Sequence, residues 1–137
     1  VNNLRVKKNK RLRHNMEETF FKLYSDLHNT GYKSENLLKR FLFTTKQHVI
    51  LIFFIASQKG KRCTLEEICY NISPKVISRS TIQNILKEGV NVGFLKKELN
   101  ETDKRSKFFK LTQDAKKFLE NWAIEQSETF KSYKKSA

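Results

Sequence analysis

Residues 80–112 read STIQNILKEGVNVGFLKKELNETDKRSKFFKLT. In the first dozen, Ile82, Ile85, Leu86 and Gly89 fall on one side of a helix at 100° per residue. Ser80-Thr81-Ile82-Gln83 has the spacing of a capping box, and Gly93 stands near the stop. Gly89 lies at the centre of the apolar face. There it either permits close packing, at about 1 kcal/mol of helix propensity, or marks a kink or an early end. Beyond Gly93, Phe94–Leu99 and Lys107–Leu111 are two short runs around the polar stretch Asn100–Ser106, the pattern of a β-hairpin with a charged tip.

Working outward, Thr64-Leu65-Glu66-Glu67 is a second capping box, opening a short helix through Ile68 and Ile72 that Pro74 ends. Two short capped helices joined by a turn resemble a helix-turn-helix. Upstream, Met16, Phe20, Leu23, Tyr24 and Leu27 recur at steps of three and four, the stripe of an amphipathic helix ending near Gly31. Ser34–Phe43 fits a second, short helix. Thr44 or Thr45 can cap a third, running to Lys59 and stopped by Gly60; its VILIFFIA segment is apolar nearly all round and belongs at the centre of a small domain. Downstream, Ala115, Phe118, Leu119, Trp122, Ala123, Phe130 and Tyr133 trace a long amphipathic helix from Thr112, interrupted at Gln126.

Ser80 to Ala115 resembles the multiple-antibiotic-resistance regulator (MarR) family. The resemblance rests on Ser80-Thr81-Ile82 opening the recognition helix, Gly93-Phe94-Leu95 entering the wing, Asp103-Lys104-Arg105 at its tip and Leu111-Thr112 closing it, with intervals that match without a gap. Three features depart from the pattern: a Ser73–Arg79 loop about three residues longer, Gly89 in place of a Leu, and Ala115 in place of a Gly. The resemblance implies a mainly α fold with a small β-hairpin wing, a winged helix-turn-helix flanked by N- and C-terminal dimerisation helices. It further implies that Arg105 enters the minor groove while Asp103 braces the hairpin, and that a small aromatic or anionic effector binds between the dimerisation helices and the winged helix.

The residues themselves suit DNA. Gln83, Asn84, Lys87 and Asn91 lie within about 60° of Ser80, opposite the apolar face. Gln and Asn can pair with adenine edges and Lys can reach guanine or phosphate, while Ser80, Thr81 and the helix N-terminus can hold a phosphate. Arg79 adds a cation there. On the wing, Asp103, Lys104, Arg105 and Lys107 form the charged tip, and a narrow A·T-rich minor groove attracts such an Arg. Lys61 and Arg62, together with Arg79, Lys96 and Lys97, are candidate phosphate contacts, which position without reading sequence. Phe20, Tyr24, Trp122, Phe130 and Tyr133 are candidate dimerisation residues. The far half of the last helix, with Ile124, has little of so small a domain left to cover, and two-fold symmetry would match a palindromic site.

With 137 residues the chain is one domain's worth. Residues 1–14 read as a basic flexible arm, carrying Arg5, Lys7, Lys8, Lys10, Arg11 and Arg13 with no acid, and 15–137 as a single winged-helix domain. Within that domain 15–43 hold the N-terminal helices, 44–111 the winged helix-turn-helix core and 112–137 the C-terminal helix. There are 28 Lys and Arg against 14 Asp and Glu, a formal charge of +14; without the arm 22 basic residues still face 14 acidic ones. That imbalance points to a polyanionic partner. Four Gly and one Pro are too few turn formers for an all-β fold. The longest apolar run, Val49–Ala56, is far short of a membrane span.

No Gly-rich phosphate loop, zincin motif or nucleophile elbow is present, His14, His28 and His48 lie far apart, and neither catalysis, cofactor nor metal is expected. Cys63 and Cys69 read as a reduced cytoplasmic pair; the other reading makes Cys63, just before a helix cap, a low-pKa sensor. The expectation is a homodimeric, sequence-specific double-stranded DNA-binding transcriptional repressor in the cytoplasm. The alternative is a nonspecific or architectural nucleic-acid binder using the arm and the winged helix.

Overall fold

The computed structural model describes residues 15–32 and 35–133; the basic arm, 1–14, lies outside them. Among the described residues six helices and three strands follow in the order α1 (Met16–Tyr32), α2 (Leu37–Leu42), α3 (Lys46–Ser57), β1 (Arg62–Thr64), α4 (Leu65–Asn71), α5 (Arg79–Asn91), β2 (Leu95–Leu99), β3 (Lys107–Leu111) and α6 (Gln113–Lys131). A single turn of 3-10 helix, Lys59–Lys61, joins α3 to β1.

Polar side chains set the helix starts. The side chains of Asn36, Thr45, Thr64, Ser78 and Thr112 accept backbone N–H groups at the starts of α2 to α6. Asn15 does the same for Glu18 at 2.8 Å at the start of α1. Helix α2 is therefore shorter than the sequence pattern suggested, and α3 ends before Gly60. The capping box of α4 is complete: Thr64 accepts from Glu67 N and the Glu67 carboxylate accepts from Thr64 N. Thr64→Ala is expected to cost about 1 kcal/mol, read as a lowered urea midpoint at unchanged slope; an unmoved midpoint would show that the following packing alone holds α4.

The start of α5 differs from the sequence expectation. Its cap is Ser78, which accepts from Thr81 N at 3.2 Å, so Ser80 already lies inside the helix. The reason is hydrophobic. Ile77 precedes the cap and Ile82 is the fourth helical residue, the two positions of a hydrophobic staple, and both are buried. A start at Ser80 would not pair Ile77 with Ile82 in this way.

At its other end α5 closes in a Schellman turn: Phe94 N donates to Gly89 O at 2.9 Å and Gly93 N to Val90 O at 3.3 Å, with Gly93 at φ +80°. This left-handed position favours glycine, and it throws Phe94 into the core. The helix runs unbroken through Gly89, which is buried; a Cβ there would lie 2.8 Å from Leu95 Cδ1 and 3.0 Å from Phe41 Cζ. Close packing is thus the meaning of Gly89.

The sheet is antiparallel, in the order β1-β3-β2. Leu95 pairs with Leu111 at the base of the hairpin and Leu99 with Lys107 near its tip. The third strand, β1, pairs Arg62, Cys63 and Thr64 with Lys110, Phe109 and Phe108. The sequence reading lacked it, because three residues are too few for an alternation to register. The core gathers Leu51, Ile52 and Ile55 of α3, Ile68 of α4, Ile82, Ile85 and Leu86 of α5, Phe94, Leu95, Leu111 and Ala115. This is a winged helix-turn-helix, mainly helical, with α4 and α5 as the paired helices and β2–β3 as the wing. No helix among the described residues is long and apolar enough to cross a membrane.

Candidate nucleic-acid interface

Helix α5 divides cleanly. Ile82, Ile85, Leu86 and Gly89 are buried, while Ser80, Gln83, Asn84, Lys87 and Asn91 are exposed and Thr81 is half-buried. Burial of the first set fixes the azimuth of the second, so the amides and the ammonium share one solvent-facing strip. Arg79, at the first helical position, is paired with Glu66 of α4: Nη2 donates to Oε1 at 2.6 Å and Nη1 to Oε2 at 3.4 Å. The guanidinium holds the Glu66 carboxyl below its ordinary range.

The wing tip is built by one side chain. Asn100 is 8% exposed. Its Oδ1 accepts from Thr102 N, Thr102 Oγ1 and Asp103 N, and its amide donates to Ser106 Oγ at 3.2 Å. Asp103 Oδ1 then accepts from Arg105 N at 3.0 Å. Lys104, Arg105 and Lys107 are left exposed on a loop whose backbone is tied. Nothing in composition singled out Asn100; its signal is a polar residue with turn chemistry at the last position before a charged loop.

Arg62 is already engaged. Its Nη1 donates to Glu98 Oε1 at 2.8 Å, and its guanidinium lies over the Phe108 ring at 4.2 Å. Lys110 approaches the other Glu98 oxygen at 3.6 Å. These contacts of Arg62, expected as a phosphate contact, tie β1 to the wing. Lys61, Lys96 and Lys97 are exposed.

The expected dimerisation residues divide. Phe20, Tyr24, Phe130 and Tyr133 are exposed, as are Met16, Phe21, Leu27 and Ile124. Trp122 packs on its own chain instead, 5.5 Å from the Phe53 ring and 6.1 Å from Phe43. It fastens α6 over α3 while staying half-buried.

His48 is buried. Its Nδ1 lies 2.7 Å from Thr45 Oγ1 and its Nε2 3.1 Å from Glu88 Oε2, contacts that tie α3 to α5. Cys63 is fully buried, and burial, then the nearby Glu67 charge, pushes its thiol up to about 12. Such a thiol is protonated and shielded at neutral pH, which overturns the low-pKa sensor reading. An open cleft of about 840 Å³ lies between α1, α2, α3 and the end of α5, lined among others by Leu27, Arg40, Phe41, Phe43, Lys46 and Val49. Among the described residues no group of three or more His, Cys, Asp or Glu is placed to hold a metal.

No protein-family model matches the chain, and no curated protein does. The fold is nevertheless a known one. The chain is similar to a MarR family transcriptional regulator from Streptomyces coelicolor solved in complex with DNA, with a TM-score of 0.52 and 20% identity over 84% of this chain and 72% of that one. It is also similar to AbsC, a MarR family transcriptional regulator from the same organism, with a TM-score of 0.50 and 14% identity over 83% and 76% of the two chains. The winged helix expected from residues 80–115 is the fold these two share with it.

Proposed function

We propose that this protein is a sequence-specific double-stranded DNA-binding transcriptional regulator, working in the cytoplasm as a homodimer and repressing by occupying promoter DNA. The observation that carries the reading is the exposed strip of α5, Ser80, Gln83, Asn84, Lys87 and Asn91, joined through a braced hairpin to an exposed Lys104-Arg105 tip. Amides and an ammonium on one helix face suit base edges in the major groove, and an Arg on a thin loop suits the minor groove. The likeness to a DNA-bound regulator supports it.

The apolar surface left over supports two-fold symmetry. Met16, Phe20, Tyr24 and Leu27 on α1, Ile124 and Phe130 on α6 and Tyr133 just beyond it are exposed in one chain, and large apolar side chains grouped at the surface mark an interaction site. A second copy covers it and places two recognition helices about one turn of DNA, roughly 34 Å, apart. The cleft between α1, α2, α3 and the end of α5 carries Phe41 and Phe43 beside Arg40 and Lys46, which suits a small aromatic or anionic effector of the kind that the resemblance implies.

Selection of bound sequences from a random duplex pool at about 150 mM salt tests the reading, because purely electrostatic binding weakens there. An enriched palindrome containing A·T pairs is expected. Retention without enrichment would favour the architectural alternative, which the net charge of +14 makes the next reading. On the selected site, Arg105→Ala is expected to weaken binding by about 1–3 kcal/mol with the dimer intact, measured by fluorescence anisotropy. Unchanged affinity would remove the wing from the mechanism.

A further inference from the structure

We propose that Glu66 is a positioning residue that aims the Arg79 fork at a base edge, making Arg79 a reader of sequence instead of one more phosphate contact. The inference rests on the DNA-binding reading above and concerns the start of the same recognition helix.

Arg79 is poorly placed for the helix it opens. The first turn of a helix favours negative charge, because its unpaired N–H groups make it the positive end of the dipole, yet α5 has no acid in its first turn and a guanidinium at its first position. Glu66 supplies the missing charge from outside. It sits in the first turn of α4, held by the capping box of Thr64, and takes both terminal nitrogens of Arg79. The fork is therefore pinned between the two helices of the motif.

Stability does not account for the pair. The two side chains are 53% and 69% exposed, and ion pairs so exposed contribute little. Nor does attraction to phosphate, since a carboxylate beside the arginine cancels its charge toward a polyanion. What the pair supplies is direction. Of the five guanidinium N–H groups, two are given to Glu66; those remaining keep the planar donor geometry that matches guanine N7 and O6. The first residues of a recognition helix are the ones that meet base edges.

The test uses the full chain with the duplex selected above and a panel differing from it by single base pairs. Wild type is expected to discriminate at one base pair of each half-site, toward G·C, by about tenfold or more. Arg79→Lys, which keeps the charge and loses the fork, is expected to lose that preference alone. Glu66→Ala is expected to lose most of it as well, although removing an acid favours binding to every duplex by charge alone. Thermal melting checks that these exposed substitutions leave the fold intact.

Uniformly tighter binding by Glu66→Ala, with the preference unchanged, would overturn the proposal. So would an Arg79→Lys protein that keeps the preference, which would make Arg79 a phosphate contact. Both results leave the regulator reading standing, whereas a wild-type protein with no preference at any position would remove both.

Discussion

Phe94→Ala is expected to lower the free energy of unfolding by about 3–5 kcal/mol, the range for deleting a fully buried aromatic side chain. Phe94 is completely enclosed, with its ring 5.2 Å from Phe41 and 6.1 Å from Phe118. It therefore joins α2, the end of α5 and the start of α6 at one point. Its backbone serves the same junction, donating to Gly89 O and accepting from Thr112 N. Truncation leaves a hole lined by residues from three elements, which cannot all move inward together. Urea unfolding followed by circular dichroism measures the loss. A change under about 1 kcal/mol would mean that the junction closes over the gap and that Phe94 is not the keystone of the wing base.

Gly89→Leu is the second large effect, and its sign depends on two opposed terms. Leucine gains about 1 kcal/mol over glycine in helix propensity. Against that, a Cβ already meets Leu95 and Phe41 at 2.8 and 3.0 Å, and three further carbons have no space between α5 and β2. Overpacking of this kind costs about 1–3 kcal/mol and occasionally more, so a net loss of up to about 2 kcal/mol is expected in the same unfolding assay. DNA affinity should fall with it, because a wedge there tilts the recognition helix against the wing. A variant more stable than wild type would show that the helix backs away freely and that glycine is not required.

How much of this was legible in the sequence depended on the range of the interactions. Thr64 and Glu67 announced their helix because a capping box is local and reciprocal. The hairpin was legible from two apolar runs around a charged loop, and the recognition strip from the periodicity of Ile82, Ile85 and Leu86. The staple from Ile77 to Ile82 lay just outside the window in which Ser80 looked like a cap. Glu66 with Arg79, Arg62 with Glu98 and His48 with Glu88 join residues 13, 36 and 40 positions apart, and no pattern along one chain reveals such partners.

Thr112 ends the chain's excursion where it began. Its hydroxyl donates to Gly93 O at 2.7 Å and accepts from Ala115 N, while its own N–H donates to Phe94 O. Asn100 closes a second, smaller ring at the far end. Between these clasps the hairpin is a braced unit, with Thr102 and Asp103 part of the outer clasp, so the exposed side chains of Glu101, Lys104 and Arg105 are the ones open to exchange. A new tip could be grafted there as a cartridge, changing what the protein grips while leaving its scaffold untouched.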